Sequence, residues 1–143
     1  MKLPILLFML CYGWMSQAQN YDAFFNDATL RVDYIFAGNI SNQHGFVHAL
    51  SKTNTWHGRK GQLGSTPIQG DAQIRVYDFK TQKLIYVVPL GSLFQEWLTQ
   101  PDAKTSLKSF KNSFLITLTK KEIKIEIVFF EKKGIKKDIF IPH

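Results

Sequence analysis

Glu122-Ile123-Lys124-Ile125-Glu126-Ile127-Val128-Phe129-Phe130 is the stretch that decides the fold. Side chains alternate faces along a strand, so Ile123, Ile125, Ile127 and Phe129 line one surface while Glu122, Lys124 and Glu126 line the other. A helix would scatter those isoleucines around its axis, and β-branched residues favour the pleated conformation. The segment therefore reads as a strand with one face in a core and one toward water.

The neighbouring sequence repeats the theme. Phe114 to Thr119 precedes it as a pairing partner, and Glu131-Lys132-Lys133-Gly134 reads as a turn after it. Ile135 to Ile141 then returns as a short strand. Its Lys136, Lys137 and the following Pro142 suit a sheet edge that must avoid pairing with other chains. Upstream, Gln73 to Tyr77 and Leu84 to Val88 form a hairpin across a polar connection, Asp78 to Lys83. Leu30-Arg31-Val32-Asp33-Tyr34-Ile35-Phe36 alternates again, placing Leu30, Val32, Tyr34 and Phe36 on one face and a surface ion pair, Arg31 with Asp33, on the other. Gly38-Asn39 ends that strand with residues that tolerate positive φ.

One helical segment interrupts the strands. Ser92-Leu93-Phe94-Gln95 has the form of a capping box, Phe94, Trp97 and Leu98 follow at helical spacing, and Gln100-Pro101 stops the helix. Phe94 and Trp97 are expected to cover an end or an edge of the core, with ligand stacking by Trp97 as the alternative. About six short strands and one short helix point to an all-β, immunoglobulin-like antiparallel β-sandwich. Ser51 to Pro67 shows no clear period and reads as an extended loop.

Composition sets the outer limits. The chain has 143 residues, 45% hydrophobic and 20% charged, with 9 Gly and one Cys, which excludes disordered, collagen-like and disulfide-scaffold classes. Lys2, the apolar run Leu3 to Met15, and Ser16-Gln17-Ala18 form a secretory signal, so residues 1–18 are expected to be removed and residues 19–143 to form a single domain. The apolar run is too short for a spanning helix, so no transmembrane span is expected after cleavage. Cys11 leaves with the signal, so the expected secreted domain is held by burial alone. The formal charge of +7 is uneven: from Gln19 to Asp78 the signs balance, whereas Phe79 to His143 carries 12 Lys against 6 acidic residues. That excess reads as solvated strand faces and turns, or as a surface for a polyanion.

Residues equipped for catalysis are scarce. His44 and His48 have the spacing of a helical zinc pair, but Gly45 stands where H-E-x-x-H has Glu. On a strand the two would lie about 13 Å apart at ~3.3 Å per residue, too far for one zinc. No nucleophile elbow, Walker loop or dinucleotide fingerprint occurs, and Gly58, Gly61 and Gly64 have the wrong spacing for a phosphate loop. We therefore expect no catalytic residue, no metal site and no cofactor. The one candidate contact surface is Trp56-His57-Gly58-Arg59-Lys60, where an aromatic ring stands among cations on a loop. Its candidate residues are Trp56, His57, Arg59 and Lys60. The competing reading has Trp56 pin the loop to the sandwich.

Asp27-Ala28-Thr29-Leu30-Arg31-Val32-Asp33-Tyr34-Ile35-Phe36-Ala37-Gly38-Asn39 and Ser92-Leu93-Phe94-Gln95-Glu96-Trp97-Leu98 also carry a resemblance. So do Leu50-Ser51, Trp56 with Gly58-Arg59, Pro67-Ile68-Gln69-Gly70, Gln73-Ile74 through Asp78, Ile85-Tyr86, and Ser109-Phe110 with Asn112-Ser113-Phe114. Together they resemble the N-terminal domain of the IgA-peptidase-type zinc metallopeptidases. The resemblance implies an immunoglobulin-like sandwich, secreted by Gram-negative bacteria and normally followed by a zinc peptidase domain. No H-E-x-x-H occurs here, so the family's zinc ligands and catalytic Glu have no counterparts and no catalytic residue carries over. Gln82 stands where a turn Gly is expected, so either Gln82 adopts a strained φ or the turn differs. Prolines expected between Thr117 and Glu122 are absent, and the last hairpin is short.

The expectation is a secreted, non-catalytic accessory or interaction module, whose partner is a separately encoded peptidase or another secreted protein. Two alternatives stand beside it: a basic surface module binding an anionic polymer (glycan, lipopolysaccharide or nucleic acid), and a truncated remnant of a peptidase gene. No specific nucleic acid is expected.

Overall fold

The computed structural model describes residues 20–66, 70–131 and 134–142, with side chains described as far as residue 130. The signal segment 1–18, the match at residues 67–69 and the turn residues Lys132 and Lys133 lie outside the described residues. So do the side chains of Lys136 and Lys137.

Among the described residues, seven strands form two antiparallel sheets. In chain order they are β1 (Phe25–Gly38), β2 (Gln43–Thr53), β3 (Ala72–Asp78), β4 (Leu84–Leu90), β5 (Lys108–Thr119), β6 (Ile123–Glu131) and β7 (Gly134–Pro142). One sheet has the order β2-β1-β5 and the other β4-β3-β6-β7. The expected all-β sandwich is the fold observed, and β7 is the edge strand its sequence announced. The order β3-β6-β7 matches the C-F-G sheet of immunoglobulin sandwiches. Here, however, the strand beside β1 follows it as a hairpin instead of preceding it.

The core forms where the inward faces meet. Val32, Ile74, Val76, Ile116 and Ile125 are fully buried, each worth roughly 1.5–3 kcal/mol by removal of apolar surface from water. Aromatic edges join the layers: Phe36 meets Phe129 at 5.2 Å and Phe25 meets Tyr86 at 6.0 Å. The outward face of β6 is less open than alternation implies, because Glu126 and Val128 are also buried. Lys124 Nζ pairs with Glu126 Oε1 at 2.5 Å, and Arg75 and Tyr77 stand opposite Glu126 and Lys124 on β3. Long side chains lying across the sheet cover the carboxylate.

Helices are more numerous than the single one expected. Helix α1 (Tyr21–Phe24) leads into β1, with the Asn20 side chain accepting from the Asp22 amide. Helix α2 (Leu93–Leu98) starts at Ser92 as the sequence indicated, but the capping box does not close: the Ser92 side chain makes no cap bond. A 3₁₀ turn follows at Pro101–Lys104. Phe94 and Trp97 are buried, with Phe94 near Phe36 and Phe110 at 5.7 and 6.1 Å. The Trp97 indole donates to Gly38 O at 3.4 Å, so α2 closes one end of the sandwich. Gly38 itself has φ +138°, and a Cβ there would meet Asn42 O at 2.0 Å, which only glycine avoids.

The β3–β4 turn takes the strained alternative. Gln82 has φ +55° and is held by its amide to Asp78 O at 2.9 Å and its side chain to Phe79 O at 2.6 Å. Asp78 Oδ1 accepts from the Thr81 amide and hydroxyl, both at 2.7 Å. These bonds, the hydroxyl's foremost, hold the Asp78 carboxyl below the ordinary carboxylate range.

Candidate functional site

The Trp56 loop folds inward. Trp56 is buried, its indole donates to Arg59 O at 3.2 Å, and its ring meets Tyr86 edge-on at 6.2 Å. Gly58 is required beneath it, since a Cβ there would lie 2.1 Å from the indole ring. Arg59 Nη1 donates to Gln62 O at 2.8 Å and to Ser65 O at 2.5 Å. Its Nη2 donates to Leu63 O at 3.4 Å and also to Val87 O on β4. The guanidinium lies 5.4 Å from the Tyr86 ring centroid. Burial raises the Tyr86 hydroxyl's pKa, with Arg59 pulling the other way.

This loop also occupies the edge of β4. Val87 N donates to Leu63 O at 2.8 Å, and Leu63 is completely buried. A strand edge that would otherwise offer free backbone groups is thereby paired. Of the sequence candidates, Trp56 and Arg59 are committed to internal contacts. His57 and Lys60 face solvent. Lys60 Nζ pairs with Asp27 Oδ1 at 2.9 Å and lies 5.4 Å from the Tyr21 ring; the bond to Asp27 raises its pKa. The arrangement anchors a loop and contains no nucleophile–base pair.

The opposite edge is open. Every residue of β2 is exposed or half-exposed, including Phe46, Val47 and Leu50. His44 and His48 both lie on this strand, and the His44 ring stacks on Phe46 at 6.1 Å. Pairing with β1 shifts at Asp33/Tyr34: Tyr34 faces Val47 while Asp33 faces Ala49, which leaves His48 as a bulge. Cross-strand partners share a face, so Val47, Leu50 and Lys52 sit on the core side with Tyr34, Val32 and Leu30. Beneath them runs a groove of about 490 Å³, lined by Leu50 above and by Leu30, Leu118 and Ile123. Lys52 and Lys121 stand at its rim with Glu122.

None of these residues was read from sequence as lining a groove: Leu30 and Ile123 were placed on core faces, Glu122 on a polar face, and Leu50 entered only through the family resemblance. The bulge at His48 breaks the two-residue period, so apolar residues fall at 46, 47, 49 and 50 and mimic neither strand nor helix. Spacing allowing for one inserted residue was the available signal. Among the described residues, no group of three or more His, Cys, Asp or Glu is placed to hold a metal ion. No helix among them is long and apolar enough to cross a membrane.

Fold and surface define a β-sandwich module whose loops close one edge and one end and leave the β2 side open. The family model described as "Peptidase M64 N-terminus" matches residues 20–141, and the chain belongs to that family of peptidase N-terminal domains. No curated protein matches the sequence.

Proposed function

We propose that the protein is a secreted, non-catalytic accessory module that works with a zinc peptidase domain. The match across residues 20–141 to a family named for its place at a peptidase N-terminus carries this reading. Export is supported by the signal-like segment 1–18. The module offers a partner a rigid frame, with Arg59 and α2 fixing the connections that would otherwise move.

The test pairs two measurements. The purified protein is incubated with casein, with and without added zinc, and its fold is followed by circular dichroism before and after chelation. Neither cleavage nor a chelator effect is expected. It is then added to the catalytic domain of a family peptidase stripped of its own N-terminal module, where complex formation and a changed kcat/KM are expected. Zinc-dependent proteolysis by the pure protein overturns the non-catalytic reading. Absence of any effect on the catalytic domain overturns the partnership.

A further inference from the structure

The geometry points to a binding site for an anionic amphiphile, a single acyl chain with a carboxylate, sulfate or phosphate head, in the groove beneath β2. This goes beyond the peptidase partnership and does not depend on it.

Three observations converge. First, the groove's volume of about 490 Å³ lies within the ~300–1,000 Å³ of small-molecule sites. Secondly, its floor is where the sandwich core reaches solvent. Leu30 and Ile123 are buried core residues, yet both line the groove, and Leu50 above them is 38% exposed. An apolar chain laid there would extend the core. Thirdly, the rim is cationic. Lys52 approaches from β2 and Lys121 from the β5–β6 turn. Lys121 lies 5.9 Å from the Phe24 ring. Neither lysine has an ion pair within 4.0 Å among the described residues. Glu122 at the same rim offsets one of the two charges, so the site is matched to a head group of low charge.

Charge selects this occupant over a neutral lipid, and shape selects it over a peptide. A peptide would pair along the outer backbone edge of β2, whereas the acyl chain lies beneath the strand against side chains.

The test is titration of the intact protein with octanoate, decanoate and dodecanoate below their micellar concentrations, by calorimetry and by ¹H–¹⁵N amide shifts. We expect saturable one-to-one binding, with shifts confined to residues 50–52 and 118–123. Affinity should rise two- to fourfold per added methylene, the upper figure being about the full burial value. Dodecanol should bind at least fivefold more weakly than dodecanoate. Leu50→Asp should abolish binding. Lys52→Gln and Lys121→Gln should each weaken it several-fold while leaving the melting temperature unchanged. If Leu50→Asp perturbs the fold, the two lysine variants decide the matter alone. Absence of saturable binding, equal affinity for dodecanol, or shifts centred elsewhere would each overturn the assignment. Tight binding of an extended peptide along β2 that survives Leu50→Asp, with no dodecanoate binding, would replace it with strand addition.

Discussion

Arg59 ties three parts of the molecule together, and its removal should be costly. The guanidinium meets four carbonyls, those of Gln62, Leu63, Ser65 and Val87. Hydrogen bonds from charged groups contribute about 1.5–3 kcal/mol each when shielded. The contacts to Gln62 and Ser65 are exposed, so water replaces them cheaply, while those to Leu63 and Val87 are partly buried. Counting one shielded interaction and about 0.5–1 kcal/mol for the cation over Tyr86, Arg59→Ala should cost about 3 kcal/mol. With an unfolding entropy of about 2.1 cal/mol/K per residue, the melting temperature should fall by about 11 °C. Arg59→Lys should recover less than half, because one ammonium cannot span carbonyls that a planar fork reaches together. His57→Ala, on an exposed side chain of the same loop, should stay within about 0.5 kcal/mol. Urea denaturation followed by circular dichroism measures all three, and limited proteolysis should cut within residues 57–66 in the Ala variant first. A loss under about 1 kcal/mol for Arg59→Ala, or full recovery by Lys, would refute the anchoring role.

Tyr34 is buried between Phe36 and Phe114, and its hydroxyl has no hydrogen-bond partner among the described residues. Tyr34→Phe keeps both ring contacts and removes the orphan group, so urea midpoints should show stabilisation of about 1 kcal/mol; a loss of that size would mean the hydroxyl is satisfied. Burial pushes the Tyr34 phenol up to about 12, and the nearby Asn112 amide draws it partly back although its geometry falls short of a hydrogen bond. A raised folded value means stability is complete below the unfolded value near 10 and is lost as pH rises toward 12. Absorbance at ~295 nm should show one tyrosine ionising late, and its ionisation with the rest would refute the buried setting. At Gln82, where φ is +55°, Val should cost about 1–2 kcal/mol and Gly should be neutral or slightly stabilising; an order with Val above Gly in thermal melts would contradict that backbone conformation. The depressed Asp78 carboxyl contributes stability that is present above about 3.9, the unfolded value, and lost as pH falls through its lower folded value. Asp78→Asn should therefore flatten the acid limb of a stability–pH curve, and an unchanged limb would show that the Thr81 bonds do not hold the charge.

The elements legible in the sequence were those with an undisturbed period. β6 and the middle of β1 alternate strictly, and their apolar sets are buried as the pattern implies. β5 begins earlier than its periodicity showed, because Lys108 to Ser113 mixes polar residues on both faces of a strand paired only with β1. β2 was hidden by its bulge and by having little to bury, since an edge over an open groove is not required to be apolar. The loop carrying Trp56, expected from Ser51, starts only after Thr53 because Ser51 to Thr53 pair with β1, and sequence could not decide its direction. Arg59 turns inward because carbonyls of Gln62, Leu63, Ser65 and Val87 converge on its guanidinium, and a convergence of backbone groups leaves no trace in residue type. Gln82 is the opposite case, where a departure from the resembled family marks the position of a positive φ.

The sandwich treats its edges unequally, and the inequality bears on function. β4 is sealed by Leu63 and Arg59, and one end is closed by Phe94 and Trp97. The outer edge of β2 pairs with no further strand among the described residues. A bare edge invites indiscriminate pairing, yet β2 carries two features that oppose it: the bulge at His48, which interrupts the ladder, and Lys52, whose charge would be desolvated by a partner strand. The strand is thus guarded on its backbone edge while its core-side face stays uncovered. A protein that needed only to hide β2 could fill the space under Leu50 with a bulkier residue at Leu30 or Leu118. The combination of a defended edge and an unfilled groove is what a site entered from beneath the strand requires. It also explains why the lysines sit at the rim and not along the floor, where an approaching acyl chain would have to displace them.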